Sequence, residues 1–279
     1  MSANNKLAMI VLDGLRFDTA VSHMGYMHHL VEYGIAARFQ VRSELPSLSR
    51  PLYEVLLTGT PAWKNGISSN QAARLSHQES LFHLTRKNGM SNAAAAYGWV
   101  SELYNKAPFS PFHDRIQLNT ESPIQNGMFY WEDHYPDTHL FADANFLLNG
   151  YRPDFLYVHS MNIDDDGHKY TADSAQYRNR VLAADSILAN VLPAWMDAGY
   201  QIIVTADHGM TADGNHGGTS SADRDVPLFV ISNQVSPGIR EEVIPQLQVA
   251  PLACQLLGIS PSEAMQPLTV CGQSSKTSP

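Results

Sequence analysis

Three short stretches of this chain carry side chains that bind metal ions. Asp13 follows the apolar run Leu7 to Leu12. Asp164 and His168 lie in N-I-D-D-D-G-H, just after a second apolar run, Asp154 to Ser160. Asp207 and His208 close a third, Gln201 to Thr205, and His216 follows in a glycine-rich loop. Mixed carboxylate and imidazole donors suit zinc, with manganese as the alternative, whereas an all-oxygen set would point to magnesium or calcium. Ser49, in L-P-S-L-S-R-P, adds a hydroxyl that can bind metal once deprotonated. Taken singly, each stretch has an ordinary explanation. Asp-His-Gly can be a polar turn after a strand, and Ser49 can be a simple helix N-cap.

Residues this far apart in sequence meet only if the runs before them are neighbouring strands of one parallel sheet, whose carboxyl ends lie together. Leu7 to Leu12 is continuously apolar, and all three runs read as buried strands of a parallel sheet. Further strands are expected at Ile35 to Val41, Asn92 to Tyr97 and Val226 to Ser232. Helices are expected at Asp18 to Tyr33, Leu52 to Leu57, Glu79 to Asn88, Thr138 to Leu148, Ala175 to Ala198 and Val243 to Leu257. Pro51 fits the first helical position. Ser49 then stands at or beside a helix N-terminus, where free N–H groups and the dipole favour an anion. Alternation of strands and helices predicts an α/β fold, a mainly parallel central sheet with helices on both faces in three layers. We expect one catalytic domain over 1–279. The aromatic-rich segment 98–135 reads either as a substrate-shaping excursion over the sheet edge or as a lid packing aromatics into a satellite core.

The composition narrows the function classes. With 279 residues, 44% hydrophobic and 16% charged, the chain can bury a large core and is not a disordered protein. Its net charge of -9 disfavours binding to a nucleic acid duplex, but not a phosphate substrate, because metal ions supply local positive charge. Cys254 and Cys271 read as free thiols of a reducing compartment. The run Leu7 to Leu12 is too short for a secretory signal, and no run is long enough to span a membrane. The expectation is a soluble cytoplasmic protein with no membrane partner. His159 has no motif around it and reads as a structural histidine, or as a residue behind the Asp164 loop.

The seven candidate ligands divide into two groups, Asp13, Ser49, Asp207 and His208 in one, Asp164, His168 and His216 in the other. Two metals a few ångströms apart are the usual apparatus for in-line displacement at phosphorus. The serine would then attack as an alkoxide, leaving a phosphoserine intermediate that water releases.

Five motifs in this order resemble the alkaline phosphatase superfamily, in particular its type I phosphodiesterase and nucleotide pyrophosphatase branch. They are V-L-D-G-L-R at 11–16, L-P-S-L-S-R-P at 45–51, T-G with N-G-I-S-S-N at 58–70, D-D-D-G-H-K-Y at 164–170, and D-H-G-M with N-H-G-G at 207–218. The resemblance implies two zinc ions held by the two groups, Ser49 as nucleophile, and Asn70 and the Arg50 backbone N–H as donors to a nonbridging phosphate oxygen. The substrate would be a small soluble phosphodiester or pyrophosphate. Nucleotide-cleaving members carry an aromatic residue after the nucleophile. Here that position is Arg50, which either pairs with an anionic group of the substrate or forms a salt bridge. S-R-P and D-H-G-M…H-G-G are more similar to the catalytic domains of phosphoethanolamine transferases of glycolipid-anchor synthesis. A phosphomonoesterase, a phosphonate hydrolase, a phosphoryl-group transferase and an inactive ligand-binding relative are the alternatives.

Overall fold

The computed structural model describes residues 5–269. Nine strands form one sheet: β1 Lys6–Leu12, β2 Ala37–Arg42, β3 Asn92–Tyr97, β4 Ile116–Gln117, β5 Asn126–Tyr130, β6 Phe155–Ser160, β7 Tyr200–Thr205, β8 Asp225–Ile231 and β9 Gly238–Pro245. Their spatial order is β4-β5-β3-β6-β1-β7-β8-β2-β9. The three strands that precede the metal-ligand motifs are thus adjacent. β1 is flanked in parallel by β6 and β7, with Leu12 opposite Ser160 and Val11 opposite Thr205. All three are buried along nearly their whole length, as their mainly apolar sequences require.

β8 runs antiparallel to both β7 and β2, so β2 runs the same way as β7. Its carboxyl end delivers the loop that leads to the helix Ser49–Thr58 on the same side of the sheet as Asp13 and Asp207. Helices Phe17–His23, Gly25–Glu32, Asp137–Tyr151, Asn162–Tyr170 and Ala175–Asp197 pack together over one face. Ser49–Thr58, Leu81–Lys87, Gly98–Tyr104 and Val249–Leu257 cover the other. The three-layer α/β reading therefore holds.

Four local expectations are corrected. The helix expected over 18–33 is two helices, because Asp185 reaches across to accept hydrogen bonds from the N–H groups of Tyr26 and Met27 and caps a fresh N-terminus there. The helix expected from Val243 begins at Val249, after edge strand β9, since Pro245 lacks an N–H and disfavours helix before it. The helix expected from Leu52 begins at Ser49 itself, with Pro51 at its third position, still in the first turn, where a missing N–H costs no intrahelical bond. The segment 98–135 does not pass over the sheet edge but builds it, since β5 pairs in parallel with β3 and β4 closes the edge antiparallel to β5.

Among the described residues no helix is long and apolar enough to cross a membrane. Cys254 is a buried free thiol, pushed up to about 12 by burial. Cys271 lies outside the described residues.

Candidate active site

Asp13 stands directly after β1 and is fully buried. Its Oδ2 accepts from the Tyr53 hydroxyl at 2.5 Å and lies 3.1 Å from His159 Nε2. Its Oδ1 has no hydrogen-bond partner and faces His208 Nε2 at 3.3 Å. Asp207, after β7, accepts the Gly14 N–H at Oδ1 over 3.3 Å, while its buried Oδ2 has no hydrogen bond and lies 3.3 Å from the same His208 nitrogen. Asp164 and His168 sit four apart on the helix that follows β6, so both face the same side, with His168 Nε2 3.4 Å from Asp164 Oδ2. Asp164 Oδ1 is a third buried oxygen without a hydrogen bond, 3.7 Å from His216 Nε2.

The histidines share one arrangement. Nδ1 of His168 meets the Gly214 carbonyl at 2.8 Å, that of His208 the Gly209 carbonyl at 2.8 Å, and that of His216 the Ser47 carbonyl at 2.9 Å. A carbonyl only accepts, so each neutral ring carries its proton on Nδ1 and turns the Nε2 lone pair inward. That backing fixes the ring and tautomer of a metal-binding histidine. The His208 and His216 rings stack at 3.7 Å, and His168 lies 5.0 Å from His216.

Donor atoms of Asp13, Asp207 and His208 fall within 4.8 Å of one another, as do those of Asp164, His208 and His216. Six of the seven expected ligands therefore sit in these two clusters or, for Ser49, against them. His208 touches both clusters and not only the group with Asp13. His168 borders the second cluster through Asp164, with 43% of its side chain exposed.

Burial and the neighbouring charges set the electrostatics of the cluster. Burial drives the Asp207 carboxyl well above its ordinary range, and the Asp13 charge adds to the rise. Burial would raise Asp13 too, but His208, His159 and Tyr53 bring it down to about 2. His208 is pulled down by burial and more than restored by Asp207, Asp13 and Asp164. His216 falls to about 4 through burial and the neighbouring His208, and the Asp164 hydrogen bond lifts His168 to about 9. Burial beside charged Asp13 disfavours the Asp207 carboxylate, and a cation among these oxygens would stabilise it.

Ser49 Oγ, at the first position of its helix, lies 3.1 Å from His208 Nε2, which can only accept its proton in this tautomer. Leu48, just before the helix, offers no side-chain cap. The Arg50 N–H donates to Asn70 Oδ1 at 3.1 Å, so the Asn70 amide nitrogen is left for another acceptor. The Arg50 side chain takes the second of its two expected courses. Its Nη2 is 2.7 Å from Glu102 Oε2, and the Trp99 ring covers it at 4.5 Å, so the guanidinium is committed within the protein. Gly14 has φ +72, and a Cβ there would stand 2.9 Å from Asp164, so only glycine lets β1 turn away while Asp13 and Asp164 approach.

Sequence reasoning did not single out Tyr53 or Glu102. Tyr53 lies four residues after Ser49, on the same helix face, a spacing that would have found it. His159 is opposite Val11 in the β1–β6 register, two residues from Asp13, which places it behind Asp13 rather than behind the Asp164 motif. A cleft of about 1370 Å³ opens at the opposite end of the sheet, lined by Asn5, Gln201 and Gln234 among others, and holds none of these ligands.

Comparison with known proteins gives the family and the fold. The family model described as type I phosphodiesterase / nucleotide pyrophosphatase matches residues 7–216, which contain every candidate ligand. GPI ethanolamine phosphate transferase 2 of Debaryomyces hansenii is 28% identical over 238 residues, covering 82% of this chain and 26% of that protein. This chain thus spans about a quarter of the length of that curated relative. The structure of murine ectonucleotide pyrophosphatase / phosphodiesterase 5 superposes with a TM-score of 0.71 at 13% identity, covering 94% of this chain and 96% of that one. The alkaline phosphatase PafA superposes at 0.69 with 10% identity, covering 96% and 99%. At those identities the two structures speak for the fold alone.

Proposed function

We propose, for a chain that belongs to the type I phosphodiesterase / nucleotide pyrophosphatase family, that it is a metal-dependent hydrolase of a small phosphodiester or pyrophosphate, with Ser49 as nucleophile. The observation that carries this reading is the convergence of the Ser49 hydroxyl with three buried carboxylate oxygens that have no hydrogen bond and with imidazole Nε2 atoms whose rings are fixed from behind. Such a donor set fits divalent cations, and its imidazole share favours zinc. Asp13, Ser49, Asp207 and His208 would hold one ion and Asp164, His168 and His216 the second. Bound there, such ions supply Lewis acidity, which favours the deprotonated serine and neutralises phosphate charge.

The residues of the chain account for the rest. Ser49 Oγ attacks phosphorus, the bond to the leaving oxygen breaks, and the retained half of the substrate stays on Ser49 as a phosphoserine ester. Water then attacks the same phosphorus, the bond to Ser49 Oγ breaks, and the serine regains its proton. Asn70 Nδ2 and the positive end of the Ser49 helix stabilise the negative charge on the nonbridging oxygens, whereas the Arg50 N–H expected to join them is bonded to Asn70 Oδ1. Tyr53 and His159 hold Asp13 so that Oδ1 faces inward. A cytoplasmic site of action is part of the proposal.

A second reading is phosphoryl transfer to an acceptor other than water, favoured by the relatives named as ethanolamine phosphate transferases. A panel of chromogenic diesters, monoesters and phosphonates, assayed with added zinc or manganese and with or without an alcohol acceptor, separates the two. Hydrolysis of diesters is the expected result, and preference for monoesters would reverse the ranking. Ser49→Ala should abolish turnover with the metal content kept near that of the wild type; a fully active Ser49→Ala variant would refute the assignment.

A further inference from the structure

We propose that Glu102 is a positioning residue which, through Arg50, holds Asn70 in its place beside the nucleophile. The inference rests on the phosphoryl chemistry proposed above and names a part of its machinery. Asn70 lies in the stretch 66–80, which has neither helix nor strand. Its side chain has one hydrogen bond among the described residues, the one from the Arg50 N–H. Because an N–H must meet an oxygen, that bond fixes the orientation of the amide and turns Nδ2 away from Arg50. Arg50 also reaches this stretch with its side chain, Nη1 lying 3.5 Å from the Ala72 carbonyl.

The guanidinium is held in turn. Glu102 Oε2 takes Nη2 at 2.7 Å, with the two side chains only 3% and 9% exposed. Glu102 Oε1 accepts the Phe109 N–H at 2.9 Å, so the carboxylate is itself anchored on both oxygens. Trp99 covers the guanidinium from the same helix, Gly98–Tyr104. Arg50 thus joins three pieces of backbone, the nucleophile helix, the Asn70 stretch and the helix Gly98–Tyr104. A buried ion pair is a poor source of stability, since an apolar pair of similar volume often serves as well. Arg50 Nε is buried without any partner, a further cost of the arrangement. What the pair provides is one fixed geometry at the residue that follows the nucleophile.

A double-mutant cycle tests this, with zinc-loaded protein and bis(p-nitrophenyl) phosphate as the probe. Asn70→Ala should lower kcat by about 100-fold or more, as loss of one oxyanion donor does. Glu102→Gln should lower kcat by about 10-fold or more while the fold and the metal content stay intact, and Glu102→Asp should recover part of the loss. In the Asn70→Ala background the Glu102→Gln change should cost less than about 2-fold, because the group it positions is gone. Equal factors in both backgrounds, or no loss in Glu102→Gln, would overturn the proposal. If Glu102→Gln does not fold, Arg50→Lys takes its place in the same cycle, since lysine keeps the charge and loses the fork.

The cycle is also read as the affinity for orthovanadate by calorimetry, which needs no turnover. A wild type that binds vanadate with the expected coupling but hydrolyses nothing would retain the clamp and refute the hydrolase reading. A wild type that binds no vanadate would refute both.

Discussion

Replacing Glu54 by glutamine should make the protein more stable at neutral and alkaline pH. Glu54 is fully buried in the helix Ser49–Thr58, five residues after Ser49. The Ser76 hydroxyl donates to Oε1, and the Tyr104 hydroxyl donates to Oε2 at 2.7 Å. Burial dominates, and despite these donors and Arg74 it pushes the carboxyl from 4.5 up to about 7. A carboxyl raised in the folded state binds its proton more tightly there than in the unfolded chain. Its contribution to folding is therefore most favourable below pH 4.5 and is lost as pH rises through 7. The gap of about 2.5, at about 1.4 kcal/mol per pH unit, comes to about 3 kcal/mol. Glutamine keeps the shape, stays neutral, and can bond to both hydroxyls as protonated Glu54 does. Denaturant unfolding from pH 5 to pH 9, on matched metal-loaded samples, should give curves that lie close together at the acid end. They should diverge until Glu54→Gln is ahead by up to about 3 kcal/mol above pH 7. Parallel curves, or a variant less stable at every pH, would refute the claim that Glu54 carries a charge at a cost above neutrality.

Other consequences are more local. Tyr53→Phe removes the donor that holds Asp13 Oδ2, and metal affinity measured by competition with a chromogenic chelator should weaken by about 10- to 100-fold with little change in melting temperature. Unchanged affinity would mean that His159 alone orients Asp13. Gly14→Ala places a Cβ against Asp164 at a positive φ and should cost about 1–3 kcal/mol, with loss of bound metal before loss of fold on heating. A variant with wild-type stability and metal content would show that the turn tolerates an L residue. Asp164→Ala and Asp207→Ala should each release one ion by elemental analysis, and release of both by either would mean that the two clusters bind as one.

The centre of this fold was legible from the chain because its physics is local. β1, β6 and β7 are mainly apolar runs, and within four residues after each comes a carboxylate that has no reason to be buried unless it binds something. The parallel sheet then brings Asp13, Asp164 and Asp207 together, as expected. The parts that were not legible depend on partners far away in sequence. Nothing near Met24 shows that Asp185 will cap a second helix there. β4 has two residues and β5 carries Gly127 beside Asn126, so neither has a pattern until β3 supplies an edge to pair with. β9 is an edge strand rich in exposed charge, and its Val243-Ile244 pair reads as the start of the apolar helix that follows. The fate of the Arg50 side chain was open between two readings, and only the position of Glu102, fifty-two residues on, decides between them.

The central claim is that phosphorus is attacked first by Ser49 and then by water. Two in-line displacements restore the original configuration, and a single attack by water inverts it. The most direct measurement is the stereochemical course of hydrolysis of a chiral phosphorothioate diester in heavy-oxygen water. The account predicts retention of configuration at phosphorus. Inversion would contradict it, and would turn Ser49 from the nucleophile into a residue that only lies beside the metals.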